Sequence, residues 1–170
     1  MAGEVISKEM IADALFSDCG TYRYWLSRVW DDDKPLAVFI GANPSKAGKE
    51  LNDATIVRLI GFCQRWGYGG FVIVNVAAYV ATEQDELNRA IDPIGPDNDR
   101  WIDHWCKDRV PIVMWGDGAA SKLRNGLRLW DVKKRLGCHQ GRLLLCFGKT
   151  RSGAPKHPVR LSYETKLAPY

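Results

Sequence analysis

Four apolar runs punctuate the chain, at residues 36–41, 71–76, 110–115 and 143–147. None alternates with polar residues, so each reads as a strand buried on both faces of a sheet. Helical spacing fills the gaps. Asn52-Asp53-Ala54-Thr55 looks like a cap before residues 56–66, where apolar side chains fall at 56, 59, 60 and 63. Gly67-Tyr68-Gly69-Gly70 ends that helix. Residues 84–90 predict a short helix, Asn98 or Asp99 caps another through Lys107, and residues 119–129 predict a fourth. Residues 8–16 also carry helical spacing, broken at Cys19-Gly20, and the aromatic stretch Tyr22–Trp30 reads as a strand facing a core.

Strands alternating with helices imply an α/β fold: three layers, α/β/α, around a central, mostly parallel four-stranded sheet. No internal repeat, low-complexity tract or linker divides the chain, so residues 1–170 read as a single domain.

Composition narrows the class. Hydrophobic residues make up 46% and charged residues 26%, the balance of an ordinary soluble domain. The seven Trp serve core packing first, though such rings also stack on bases. A net charge of +4 permits nucleic-acid binding without demanding it. The cations gather late: from residue 118 onward about a dozen Lys and Arg face only Asp131 and Glu164, while Asp31-Asp32-Asp33 sits early. That basic third is either a solvated face or a surface that tracks phosphates. Cys19, Cys63, Cys106, Cys138 and Cys146 show no CxxC and no metal-like spacing with the three His, so free thiols, no metal and no cofactor are expected. Neither a signal sequence nor an apolar run of membrane-spanning length is present, which points to a cytoplasmic monomer with no membrane partner.

Polar residues at the ends of buried strands are where open α/β sheets place ligand sites. Asn43 follows the first run in Gly41-Ala42-Asn43-Pro44-Ser45. It is either a plain turn or, stiffened by Pro44, a holder of water. Asn75 lies inside Val72-Ile73-Val74-Asn75-Val76, where burial of an amide needs a reason: a structural hydrogen bond, or the reading of a ligand's edge. His157, in a basic loop with Pro158, is either solvated or part of the same site. His104 and His139 have no comparable setting and read as surface residues. Two amides and an imidazole together can grip a nucleobase and help break its bond to sugar. A phosphate-loop reading of residues 41–50 fails, because Gly41 and Gly48 are too far apart and Glu50 follows Lys49 where a hydroxyl is required.

The order of these segments resembles the uracil-DNA glycosylase superfamily. Its Gly-x-x-Pro motif corresponds to Gly41-Ala42-Asn43-Pro44, and its strand with a base-reading Asn to Val72–Val76. Its strand closing in Leu-Trp-Gly corresponds to Val113-Met114-Trp115-Gly116, and its His-Pro-Ser-Pro-Leu-Ser loop to His157-Pro158-Val159-Arg160-Leu161-Ser162. The chain also resembles, over nearly its full length, the domain-of-unknown-function 1643 family, through Asn43-Pro44-Ser45, Asp53–Ile56, Trp66–Gly70, Pro93–Asp99 and His157-Pro158.

The first resemblance implies a DNA glycosylase acting on a flipped-out uracil or modified pyrimidine, one setting being a phage base and antiviral defence. Asn43 and His157 would be catalytic, Asn75 and Pro44 would bind the base, and Leu161 would be a wedge in the emptied stack. Arg160, Lys156, Arg151 and Ser45 would touch DNA. An aromatic platform is expected from Phe62, Trp66, Tyr68 or Tyr79. Ser45-Lys46 replaces the Tyr-His that guards a uracil pocket, Asn43 is similar to the mismatch-specific branch, and Val159-Arg160 replaces Ser-Pro. The Cys pattern of the iron–sulfur branch is missing. Two other functions fit the same grip: an enzyme on free nucleosides or nucleotides, and a non-catalytic reader of modified bases.

Overall fold

A computed structural model describes residues 10–45, 48, 51–118 and 123–170. Seven strands form one sheet: β1 (Ile11–Phe16), β2 (Arg23–Val29), β3 (Leu36–Gly41), β4 (Gly70–Asn75), β5 (Ile112–Val113), β6 (Leu145–Cys146) and β7 (Ala168–Pro169). Their order is β1-β2-β4-β3-β5-β6-β7. The middle four, β4-β3-β5-β6, run parallel; β1, β2 and β7 add antiparallel pairings at the two sides. The sheet is therefore mixed and wider than the four strands expected. The predicted runs at 110–115 and 143–147 shrink to two-residue ladders.

Four helices are described: α1 (Ala54–Arg65), α2 (Gln84–Arg89), α3 (Asn98–Cys106) and α4 (Leu127–Arg135). Two cores result because the fully buried strands project side chains to both faces. Ala37, Phe39, Phe71 and Ile73 meet Ile56, Leu59 and Phe62 of α1. Val38, Ile40 and Val74 meet Leu87 of α2, Ile102 and Cys106 of α3, and Val132 of α4. Asp53 caps α1, its Oδ1 accepting from the Ile56 N–H at 2.9 Å.

Two expectations are corrected. Residues 11–16 form a strand, not a helix, because β2 offers them a ladder from Ile11↔Val29 onward, with one register shift between Leu15 and Phe16, and pairing overrides local propensity. The helix expected at 119–129 falls partly outside the described residues; a 3₁₀ turn covers Leu123–Gly126 and the helix proper starts at Leu127.

Glycine decides one junction. A Cβ on Gly69 would sit 1.8 Å from the Asp31 carbonyl oxygen, and that oxygen is backbone that cannot swing aside. Gly69→Ala is expected to cost about 3 kcal/mol or more, at the upper end of overpacking effects, read as a fall in the urea midpoint or outright failure to fold.

The C-terminal segment returns across α1. Tyr163 is clasped by the guanidiniums of Arg58 and Arg65, 4.1 and 4.0 Å from its ring centroid, and its hydroxyl lies over Gly61, where a Cβ would approach to 2.5 Å. Among the described residues no helix is long and apolar enough to cross a membrane.

Candidate active site

The carboxyl ends of three parallel strands open into one cavity. Gly41 of β3, Asn75 of β4 and Met114 just beyond β5 line it, with Ala42, Asn43, Ser45, Asp53, Ile56 and His157; its volume is about 240 Å³. Side chains 43, 75 and 157, far apart in sequence, therefore meet at a single hollow.

Past the strand ends the two chains stay joined. Val76 and Ala77 N–H donate to the Gly41 and Ala42 carbonyls at 2.9 and 3.0 Å. Gly41 is required here because a Cβ would come within 2.7 Å of Asn75 Oδ1. The chain leaving β4 is buried, so its carbonyls need donors. Fully buried Asn98, at the start of α3, donates its Nδ2 to the carbonyls of Asn75 (3.0 Å) and Val76 (3.2 Å). Arg128, on α4, donates Nε to the same Val76 carbonyl at 2.8 Å and pairs with Asp99 at 2.7 Å. Asn75 is thus fixed from behind. Its own side chain is 3% exposed, and Nδ2 has no hydrogen-bond partner. A buried donor left in this state costs roughly 1–3 kcal/mol, and Asn75 lines the cavity, from which an acceptor could answer it.

Asn43 is held differently. Its Nδ2 donates to the carbonyls of Pro44 (3.2 Å) and Ala81 (3.1 Å). Facing two carbonyls fixes which end of the amide is NH₂, and Oδ1 is left as the acceptor for a water or ligand. Pro44 is buried behind this turn and does not line the cavity.

His157 arrives on a loop tied down by backbone bonds. Lys156 N–H donates to Gly148 O and Gly116 N–H to Pro155 O. A 3₁₀ turn, Pro158–Arg160, follows, and Arg58 of α1 donates to the Leu161 carbonyl. The ring is open to solvent on one side and crowded by protein on the other. Crowding lowers its pKa, with Asp53 pulling the other way, which favours the neutral imidazole. An NMR titration of the ring should therefore give a midpoint below 6.5. In Asp53→Asn the midpoint should fall further, since the anion that favours protonation is gone; an unchanged or higher midpoint would contradict this.

Comparison with protein families now bears on the chain. The family model described as "Protein of unknown function (DUF1643)" matches residues 23–159. The chain belongs to the DUF1643 family. No curated protein and no solved structure matches it. The DUF1643 match takes in every residue named so far as lining the cavity, and it leaves β1 and β7 outside.

The remaining predicted site residues divide. Ser45 lines the cavity and donates its Oγ to Asp53 Oδ2 at 2.5 Å. Arg151, Lys156 and Arg160 are exposed on and beside the His157 loop. Leu161 is half-buried and leans on the α1 core. Lys46, Lys49 and Glu50 lie outside the described residues. The aromatic platform is corrected. Phe62 is fully buried; Trp66 and Tyr68 pack on the same core, and Tyr79 packs on the opposite one, against Tyr22. None lines the cavity, whose apolar wall is aliphatic: Ile56, Ile73 and Met114.

The late basic cluster also separates by use. Arg128 is buried, Arg135 pairs with Asp99 and Asp103, and Arg142 donates to the carbonyls of Lys107 and Arg109. Those three hold the fold together. Among the lining residues that escaped sequence reasoning are Arg23, Thr82 and Asp53 in its second role. The only signal for Arg23 was a charged residue at the head of the aromatic stretch Tyr22–Trp30.

Proposed function

We propose that this protein is a DNA glycosylase that hydrolyses the N-glycosidic bond of a flipped-out uracil or modified pyrimidine and leaves an abasic site. The observation that carries the reading is the unpartnered, buried Nδ2 of Asn75, set in a cavity it shares with Asn43 and His157. The parallel pairing of β4, β3, β5 and β6 at the centre of the mixed sheet is compatible with that reading. At about 240 Å³ the hollow is below the usual range of roughly 300–1,000 Å³ for drug-sized ligands. It suits one ring rather than a whole nucleotide.

In this mechanism the water oxygen bonds to C1′ as the C1′–N bond breaks. The bonding pair leaves with the base, and the water's proton goes to the departing base or to solvent. Catalysis must favour that charge separation over the ground state. Neutral His157 donates a hydrogen bond to a base carbonyl as negative charge builds; one such preorganised donor is worth roughly 3–4 kcal/mol, or 10²–10³ in rate. Asn43 Oδ1 aims the water. Asn75 Nδ2 gives its hydrogens to the base edge. The base must leave the duplex to reach them, at a cost of a few kcal/mol. Exposed Arg151, Lys156 and Arg160 would take the flanking phosphates, which makes binding salt-sensitive.

The test is a panel of DNAs carrying uracil, mismatched thymine and modified pyrimidines, with released base read by mass spectrometry. Release of a free base and formation of alkali-labile sites are expected. Tight binding with no release from any member would instead favour a reader of modified bases. Activity on free nucleosides that survives neutralising Arg151, Lys156 and Arg160 would favour a small-molecule enzyme.

A further inference from the structure

One proton in that mechanism has no protein group to receive it. The attacking water must lose it as its oxygen bonds to C1′. An amide such as Asn43 can orient a water but is too weak a base to take its proton. His157 is already engaged, donating to the departing ring. Among the described residues that line the cavity, Asp53 is the single carboxylate. Its two oxygens are used differently. Oδ1 caps α1, accepting from the Ile56 N–H at 2.9 Å. Oδ2 accepts from the Ser45 hydroxyl at 2.5 Å, and Ser45 lines the hollow two residues beyond Asn43. Capping needs only the first of these contacts. A hydroxyl has one proton to give and lone pairs to accept with, so Ser45 stands between the hollow and the carboxylate as a relay.

We propose that Asp53 is the proton acceptor of this site, reached through the hydroxyl of Ser45. This rests on the glycosylase reading. As the water oxygen bonds to C1′, one O–H bond of the water breaks and its proton passes to Ser45 Oγ. The proton that Ser45 held passes in the same step to Asp53 Oδ2. The C1′–N bonding pair leaves with the base, and Asp53 becomes the neutral acid. It then returns the proton to the released base or to solvent. Ser45 is a hydroxyl before and after.

The experiment measures single-turnover base release by the full chain from duplexes carrying uracil, mismatched thymine or 5-hydroxymethylcytosine. Wild type, Asp53→Asn, Asp53→Gly, Ser45→Ala and the double variant Ser45→Ala with Asp53→Asn are compared, with circular dichroism to establish folding. Asn and Gly both serve as helix caps, so α1 keeps its start. Loss of the Asp53 charge also keeps His157 neutral, because the anion that favours its protonation is gone. Asp53→Asn should slow release by about 10²-fold or more, the lower end of what a positioned proton acceptor contributes, with DNA affinity unchanged. Ser45→Ala should be slowed to a similar rate, and the double variant no further, because groups that act as one unit do not add. Formate supplies a base from solution and should restore release about tenfold or more in Asp53→Gly while leaving Asn43→Ala unchanged. A merely structural carboxylate would not show that rescue. Release by Asp53→Asn close to the wild-type rate, additive losses in the double variant, or no response to formate would each overturn the proposal and leave the glycosylase standing. If neither Asp53 variant folds, Ser45→Ala decides: an unchanged rate removes the relay. No base released from any of the duplexes by wild type removes the glycosylase reading and this proposal together.

Discussion

If the proposed glycosylase mechanism holds, Asn43→Ala is expected to lower single-turnover base release by about 10²–10³-fold, the scale of one preorganised polar group lost from a reacting centre. Substrate binding should change little, because in the proposed mechanism Asn43 addresses the water and not the base. The fold should survive. Its Nδ2 bonds to Pro44 and Ala81 are worth about 1 kcal/mol apiece, and the turn keeps the backbone bond from Ala81 N–H to Pro44 O at 3.1 Å. A single-turnover rate and a binding isotherm measured on the same DNA separate the two effects. An unchanged rate removes Asn43 from the mechanism, and a matching loss of affinity makes it a binding residue.

Gly41→Ala should be nearly as damaging by a different route. The added methyl would lie 2.7 Å from Asn75 Oδ1 and 3.7 Å from Met114 Cε, both side-chain atoms. Unlike Gly69, whose obstacle is backbone, this site can relieve the clash by moving the amide. Fold is kept and geometry is lost. A displacement on the order of 1 Å at a reacting group can cost about 10²-fold. Base release should fall by that amount while the urea midpoint moves only slightly, and Asn75 side-chain resonances should shift in NMR. Equal release by Gly41→Ala and wild type would mean that the Asn75 amide does not hold the base.

Much of the site was legible because it lies where apolar strands stop. Asn75 stood out as an amide among Ile73, Val74 and Val76, and Asn43 followed the first apolar run; both flank the hollow. Residues that support the site were harder to see. Asn98 opens a helix like any polar cap, and nothing local says that its amide crosses to the carbonyls of residues 75 and 76. Arg128 sat within a run of cations that looked like surface, yet its neighbours bury it. The aromatic platform was expected by analogy; α1 turns Phe62 toward the sheet, because that is where its apolar stripe faces. The first strand was misread because Ala, Leu and Met favour helices, while its stability comes from a ladder partner a dozen residues on.

The family match stops short of both outermost strands. β1 and β7 border the sheet like a selvedge on woven cloth, β1 against β2 and β7 against β6, one from each end of the described residues. Bare ladder edges recruit foreign strands; β1 and the two-residue β7 occupy the outer edges of β2 and β6 and leave the cavity at the strand tips open.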